Sequence, residues 1–100
     1  CRGNDNTVCA VLYSPKSGIL LEVVNNEPGL TVYTGNYQGK VISCKHCIKY
    51  PKHVSVCFES QKYPDSPTKI SQGVKDWTDA TLKPGEKYYS HLAYKFSVKK

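Results

Sequence analysis

The 100-residue sequence contains no methionine, one arginine (Arg2), one tryptophan (Trp77) and two phenylalanines (Phe58 and Phe96). Each scarcity excludes something. Arginine is the residue best shaped for bidentate contacts to bases and phosphates. With one of them, the net charge of +6 rests on scattered lysines. These cluster only mildly, at Lys45, Lys49 and Lys52 and at Lys95, Lys99 and Lys100. That distribution reads as a solvated surface, and no nucleic-acid partner is expected. No apolar run approaches the roughly 18 residues that a spanning helix needs, so no membrane segment is expected, and no secretory signal pattern is visible. Glycines are dispersed among turns, which leaves no phosphate-cradling loop and no dinucleotide fingerprint. No segment carries three turns of helical periodicity. A chain that lacks methionine and starts at Cys1 is expected to be a processed product or the ordered part of something longer.

What is present is strand-like. Thr7 to Tyr13 and Ile19 to Val24 are apolar and β-branched runs on either side of Pro15-Lys16-Ser17-Gly18, so residues 7–24 predict a hairpin. Asn25-Asn26-Glu27-Pro28-Gly29 predicts a further turn, of type II by its Pro-Gly pair. Leu30 to Thr34 predicts a short third strand. Gly35 to Lys52 is irregular, with a short strand expected at Lys40–Ser43. Val54 to Gln61 alternates cleanly: Val54, Val56 and Phe58 on one face, Ser55, Cys57, Glu59 and Gln61 on a wetter one. Tyr63 to Ala80 reads as a loop pinned by Trp77, Leu82-Lys83-Pro84-Gly85 as a second Pro-Gly turn, and Tyr88 to Val98 as a long closing strand. The expected fold is all-β, an antiparallel β-sandwich.

The chemistry-bearing residues are few. The five cysteines, Cys1, Cys9, Cys44, Cys47 and Cys57, are an odd number, against a fully paired framework. Cys9 and Cys57 read as small buried hydrophobes, and reduced thiols fit a cytoplasmic protein. A secreted chain disulfide-linked through Cys1 is the other reading. Cys44-Lys45-His46-Cys47 with His53 nearby is a single Cys-x-x-Cys pair, whereas structural zinc wants four ligands, usually two such pairs. It reads as a disulfide or as plain loop cysteines, and no metal site is expected. His91 reads as structural, and no Ser-His-Asp arrangement can be argued. Glu59 stands out as a fixed carboxylate on the polar face of a strand, a proton-transfer group if it lines a cleft and an ordinary solvent-facing acid otherwise.

The order of short words carries more information than any one of them. Tyr13-Ser14-Pro15-Lys16-Ser17-Gly18, Leu21-Glu22-Val23 and Glu27-Pro28-Gly29-Leu30 lead into Tyr33-Thr34-Gly35-Asn36. Tyr50-Pro51-Lys52-His53, Cys57-Phe58-Glu59-Ser60-Gln61, Tyr63-Pro64-Asp65 and Leu82-Lys83-Pro84-Gly85-Glu86 follow, then His91 and Tyr94-Lys95-Phe96-Ser97. Over about residues 7–98 this resembles the C-terminal third of the aldose 1-epimerases (galactose mutarotases). The resemblance implies that residues 1–100 are the C-terminal portion of one large β-sandwich, a supersandwich. It implies interconversion of the α and β anomers of a free aldose such as galactose or glucose, by a glutamate base and a histidine acid, without a cofactor. Glu59 matches the base, so that catalytic role and sugar contact are expected of it. Thr31 stands two residues before Tyr33, where the family usually has a sugar-contacting glutamine, and is expected to contact substrate. The family's acid histidine and its other sugar-holding residues lie in upstream segments, and His46, His53 and His91 do not match the acid's motif. The expected partner is therefore a missing N-terminal portion or second chain, without which wide apolar faces and open edges would be exposed. The alternative is a non-catalytic carbohydrate-binding or structural relative.

Overall fold

The computed structural model describes residues 7–39 and 45–99. The expected strand at Lys40–Ser43 and the readings of Cys1, Arg2, Cys44 and Lys100 lie outside the described residues. Among the described residues there are five strands: β1 (Val8–Tyr13), β2 (Ile19–Asn25), β3 (Gly29–Tyr33), β4 (Cys57–Gln61) and β5 (Leu92–Val98). They form two antiparallel sheets, one ordered β1-β2-β5 and one pairing β3 with β4. The fold is all-β, of the antiparallel sandwich class.

The expected hairpin is β1-β2. Its turn closes by two backbone bonds, Gly18 N–H to Ser14 O at 2.8 Å and Ser14 N–H to Ile19 O at 3.0 Å. Gly18 has φ +74, and a Cβ there would lie 3.0 Å from Lys99 O, so both conformation and the approach of the closing strand require glycine. The alternation in β5 is also as expected. Leu92, Tyr94, Phe96 and Val98 pair with Asn25, Val23, Leu21 and Ile19, and opposed residues share a face.

Three local readings change. The turn before β3 is not type II, because Gly29 lacks the positive φ which that turn demands and is instead the first residue of the strand. Residues 26–28 do not reverse a hairpin; they carry the chain from one sheet to the other. Asn25 shapes this bend, its Oδ1 accepting the Glu27 N–H at 3.0 Å. Strands β4 and β5 are shorter than alternation suggests. Pairing in β3-β4 stops at Tyr33↔Cys57, where β3 enters the Thr34-Gly35 turn, so residues 54–56 have no partner strand among the described residues. Residues 88–91 use their bonds on the bend instead: Asn26 N–H reaches His91 O at 3.2 Å, and His91 N–H reaches Asn26 Oδ1 at 2.8 Å. Finally, the loop after β4 contains a short helix, α1 (Ser66–Ser71), which is too brief for periodicity to reveal and carries Pro67 in its first turn, where proline is tolerated. Trp77 ties this segment back to its own start, donating from Nε1 to Pro64 O at 3.1 Å and stacking at a tilt on Tyr63 with ring centroids 5.1 Å apart. The second Pro-Gly turn has the expected form, with Gly85 at φ +88 and Glu86 N–H bonded to Lys83 O at 3.1 Å.

Among the described residues the buried apolar side chains are Val23 and Val24, both in the central strand β2. The two sheets meet through polar contacts: Asn25 Nδ2 donates to Ser60 Oγ at 2.7 Å, and Tyr94 Oη to Phe58 O at 3.4 Å.

Candidate active site

The strand β4 positions Glu59. Along Cys57–Gln61 exposure alternates, with Cys57, Glu59 and Gln61 outward and Phe58 and Ser60 half-buried. This is the two-residue period expected, and it follows from side chains pointing alternately to opposite faces of a sheet. Cys57, expected as a buried hydrophobe, is exposed and free, because it lies on the same face as Glu59; Cys9 is half-buried and free.

Glu59 pairs directly with Thr31 across the β3-β4 ladder. Opposed residues in such a ladder have their Cβ atoms about 4.5–5.5 Å apart, so the two candidate site residues are immediate neighbours. Gln61, two residues along the same face, donates from Nε2 to Thr31 Oγ1. That bond occupies the hydroxyl as an acceptor and leaves its own proton to be donated elsewhere. At the next position Gly29 pairs with Gln61, and a Cβ on Gly29 would lie 3.0 Å from Gln61 O and 3.2 Å from Tyr63 Cδ1. Glycine therefore lets Tyr63, with Trp77 behind it, close over the β3 end. On the other side of Glu59, Tyr33 pairs with Cys57, and its Oη accepts the Tyr37 N–H at 3.0 Å. Glu59 thus stands on an exposed polar strip bordered by Tyr33 and Tyr63.

Two of the sequence words meet beside this strip. His53 Nδ1 lies 3.0 Å from Thr34 O, and Gly35 O accepts N–H bonds from both Gln38 (3.1 Å) and His53 (3.3 Å). Ser55 Oγ donates to Gln38 Oε1 at 3.2 Å. Gly35 is buried with φ +76, and a Cβ there would meet Gln38 Oε1 at 2.8 Å. Tyr33-Thr34-Gly35-Asn36 and Tyr50-Pro51-Lys52-His53 are thus joined, with His53 satisfying backbone carbonyls of the first word. His53 serves here as a loop tie, and half-buried His91 braces the inter-sheet bend. Cys47 and His46 are exposed in a short 3-10 turn, and no group of three or more His, Cys, Asp or Glu suited to a metal ion exists among the described residues.

One acid escaped the sequence reading. Glu27, placed in a turn by its Pro-Gly neighbours, is 2% exposed. Its Oε1 accepts the Tyr88 hydroxyl at 2.6 Å and its Oε2 lies 3.1 Å from Lys62 Nζ. Burial pushes its carboxyl upward, but the Tyr88 hydroxyl, the Lys62 ammonium and the Ser90 hydroxyl together outweigh that and hold it below its ordinary value. The only sequence signal was an acid ahead of Pro-Gly, which is ordinary in a solvated turn; its partners are 35 and 61 residues away.

The sequence model of the family described as Aldose 1-epimerase matches residues 2–95. The chain belongs to the aldose 1-epimerase family. Galactose mutarotase from Mus musculus is 39% identical over 90 residues, which is 90% of this chain and 25% of the mouse protein. Galactose mutarotase from Homo sapiens is 37% identical over the same shares. Aldose 1-epimerase from Escherichia coli (strain K12) is 31% identical over 97 residues, 95% of this chain and 26% of that protein. This aldose 1-epimerase family chain therefore spans about a quarter of the length of the curated relatives it matches.

Proposed function

We propose that this chain is the C-terminal part of a mutarotase that interconverts the α and β anomers of a free aldohexose such as galactose or glucose, with Glu59 as the base. The observation that carries the reading is the exposed Glu59 directly opposite Thr31, on a strip of otherwise uncharged polar side chains. Glu59 takes the proton from the anomeric hydroxyl. A general acid protonates the ring oxygen as the C1–O5 bond breaks. The open-chain aldehyde rotates about C1–C2, and ring closure on the other carbonyl face returns both protons. Thr31, with its hydroxyl held by Gln61, contacts the sugar. None of His46, His53 or His91 belongs to the strip, so the acid comes from polypeptide N-terminal to this portion, in the same chain or a second one. No cofactor takes part.

Polarimetry on freshly dissolved α-glucose or α-galactose tests this with the intact protein. Glu59→Gln is expected to slow catalysed mutarotation by about two to four orders of magnitude, the range for loss of a general base. Wild-type rates in that variant would refute the assignment. The second reading, a carbohydrate-binding relative without catalysis, draws on Thr31 in place of the longer amide. It predicts sugar binding by calorimetry with optical rotation decaying at the uncatalysed rate. The need for the additional polypeptide is tested by denaturing mass spectrometry of the natural protein. A sole 11.2 kDa species, folded and monomeric, would remove it.

A further inference from the structure

We infer that Glu27 is a positioning residue for Glu59, acting from the reverse side of β4. This rests on the proposed role of Glu59 and deepens it. Ser60 leaves β4 on the face opposite to Glu59 and Gln61, and Lys62 is the first residue beyond the strand. Both are held by the inter-sheet bend. Ser60 Oγ accepts from Asn25 Nδ2 at 2.7 Å, and Lys62 Nζ meets Glu27 Oε2 at 3.1 Å. Asn25 and Glu27 are in turn tied to each other through the Glu27 N–H at 3.0 Å, and Glu27 Oε1 is fixed by Tyr88. Asn25 and Glu27 are 0% and 2% exposed.

The consequence is mechanical. β4 pairs with β3 alone, so among the described residues its far side has no ladder to set its height above the first sheet. Two polar anchors spaced two residues apart define that height at Ser60 and Lys62, the first of them adjacent to Glu59. An ionised, buried carboxylate suits the task because losing its partners would strand a charge away from water. A base must lie within hydrogen-bond reach of the hydroxyl it deprotonates. A displacement of about 1 Å from the productive geometry costs on the order of a hundredfold in rate.

The test uses the intact protein with Glu27→Gln, Lys62→Met and the conservative Lys62→Arg, read by amide hydrogen exchange and by mutarotation kinetics. Glu27→Gln and Lys62→Met are expected to speed exchange in β3 and β4 about tenfold more than in β1 and β2, since local openings report local anchors. Maximal turnover is expected to fall at least tenfold with KM changed less than threefold, and Lys62→Arg is expected to restore both. Exchange that is unchanged, or accelerated uniformly over both sheets, overturns the inference; so does wild-type turnover in folded Glu27→Gln. Glu59→Gln runs in parallel. If it turns over like the wild type, the assignment of Glu59 fails, while the exchange pattern still decides whether Glu27 anchors the strand.

Discussion

At the scale of single residues, two carboxylates of one small region have opposite fates. Glu59 is exposed on the open face of β4; Glu27 is buried and committed to Tyr88 and Lys62. Since the folded Glu27 carboxyl titrates below its ordinary value of 4.5, its contribution to stability is complete above that value. It is lost progressively as pH falls from that value through the lower folded value, because over that interval the unfolded state holds a proton that the folded state does not. Chemical denaturation between about pH 6 and pH 3 should show this loss in the wild type and a flatter profile in Glu27→Gln. Lys62→Met should cost about 1–3 kcal/mol in the same measurement, below the figure for a fully enclosed pair because the Lys62 side chain is 35% exposed. Glu59 was legible in the sequence because strand alternation marks an outward acid and because its flanking residues form a recognisable word. Glu27 was not, because nothing local distinguishes a buried acid from a solvated one when its partners come from distant parts of the chain.

At the scale of elements, the β3-β4 pair is held by a precise fit at its open end. Gly29→Ala would drive a methyl against the Gln61 carbonyl and the Tyr63 ring. The backbone atom cannot swing away, so a loss of about 1–3 kcal/mol is expected in thermal or denaturant unfolding. Gly85→Ala is the contrast: its surroundings are open, its φ is +88, and only the backbone strain of about 1 kcal/mol remains. Strand identity and the β1-β2 hairpin could be read from period-two patterning and turn chemistry. Strand length could not, because a strand ends where its partner does: β4 stops pairing when β3 turns at Thr34, and β5 starts opposite Asn25. The Pro28-Gly29 pair is ambiguous for the same reason, since it suits a hairpin turn and an inter-sheet bend alike.

At the scale of the whole molecule, the first sheet presents Leu12, Ile19, Leu92, Tyr94, Phe96 and Val98 on one face, all at least 44% exposed. Phe96 and Val98 alone are 69% and 66% exposed. Contiguous apolar surface of that kind favours association. The isolated 100-residue chain is expected to bind a hydrophobic dye and to elute as oligomers in size exclusion, and to lose both properties on co-expression with the remaining polypeptide of the proposed mutarotase. A dye-silent monomer would contradict this. The all-β class, the strand faces, the Glu59–Gln61 word and the family resemblance were determined by the linear order of residues, because alternation and turn chemistry act over a few positions. Only the tertiary structure decided that Thr31 stands opposite Glu59, that Glu27 is buried against Tyr88 and Lys62, and that the Pro-Gly bend joins two sheets. Those outcomes depend on which strand lies beside which, and register is a property of pairs of segments that neither segment carries alone.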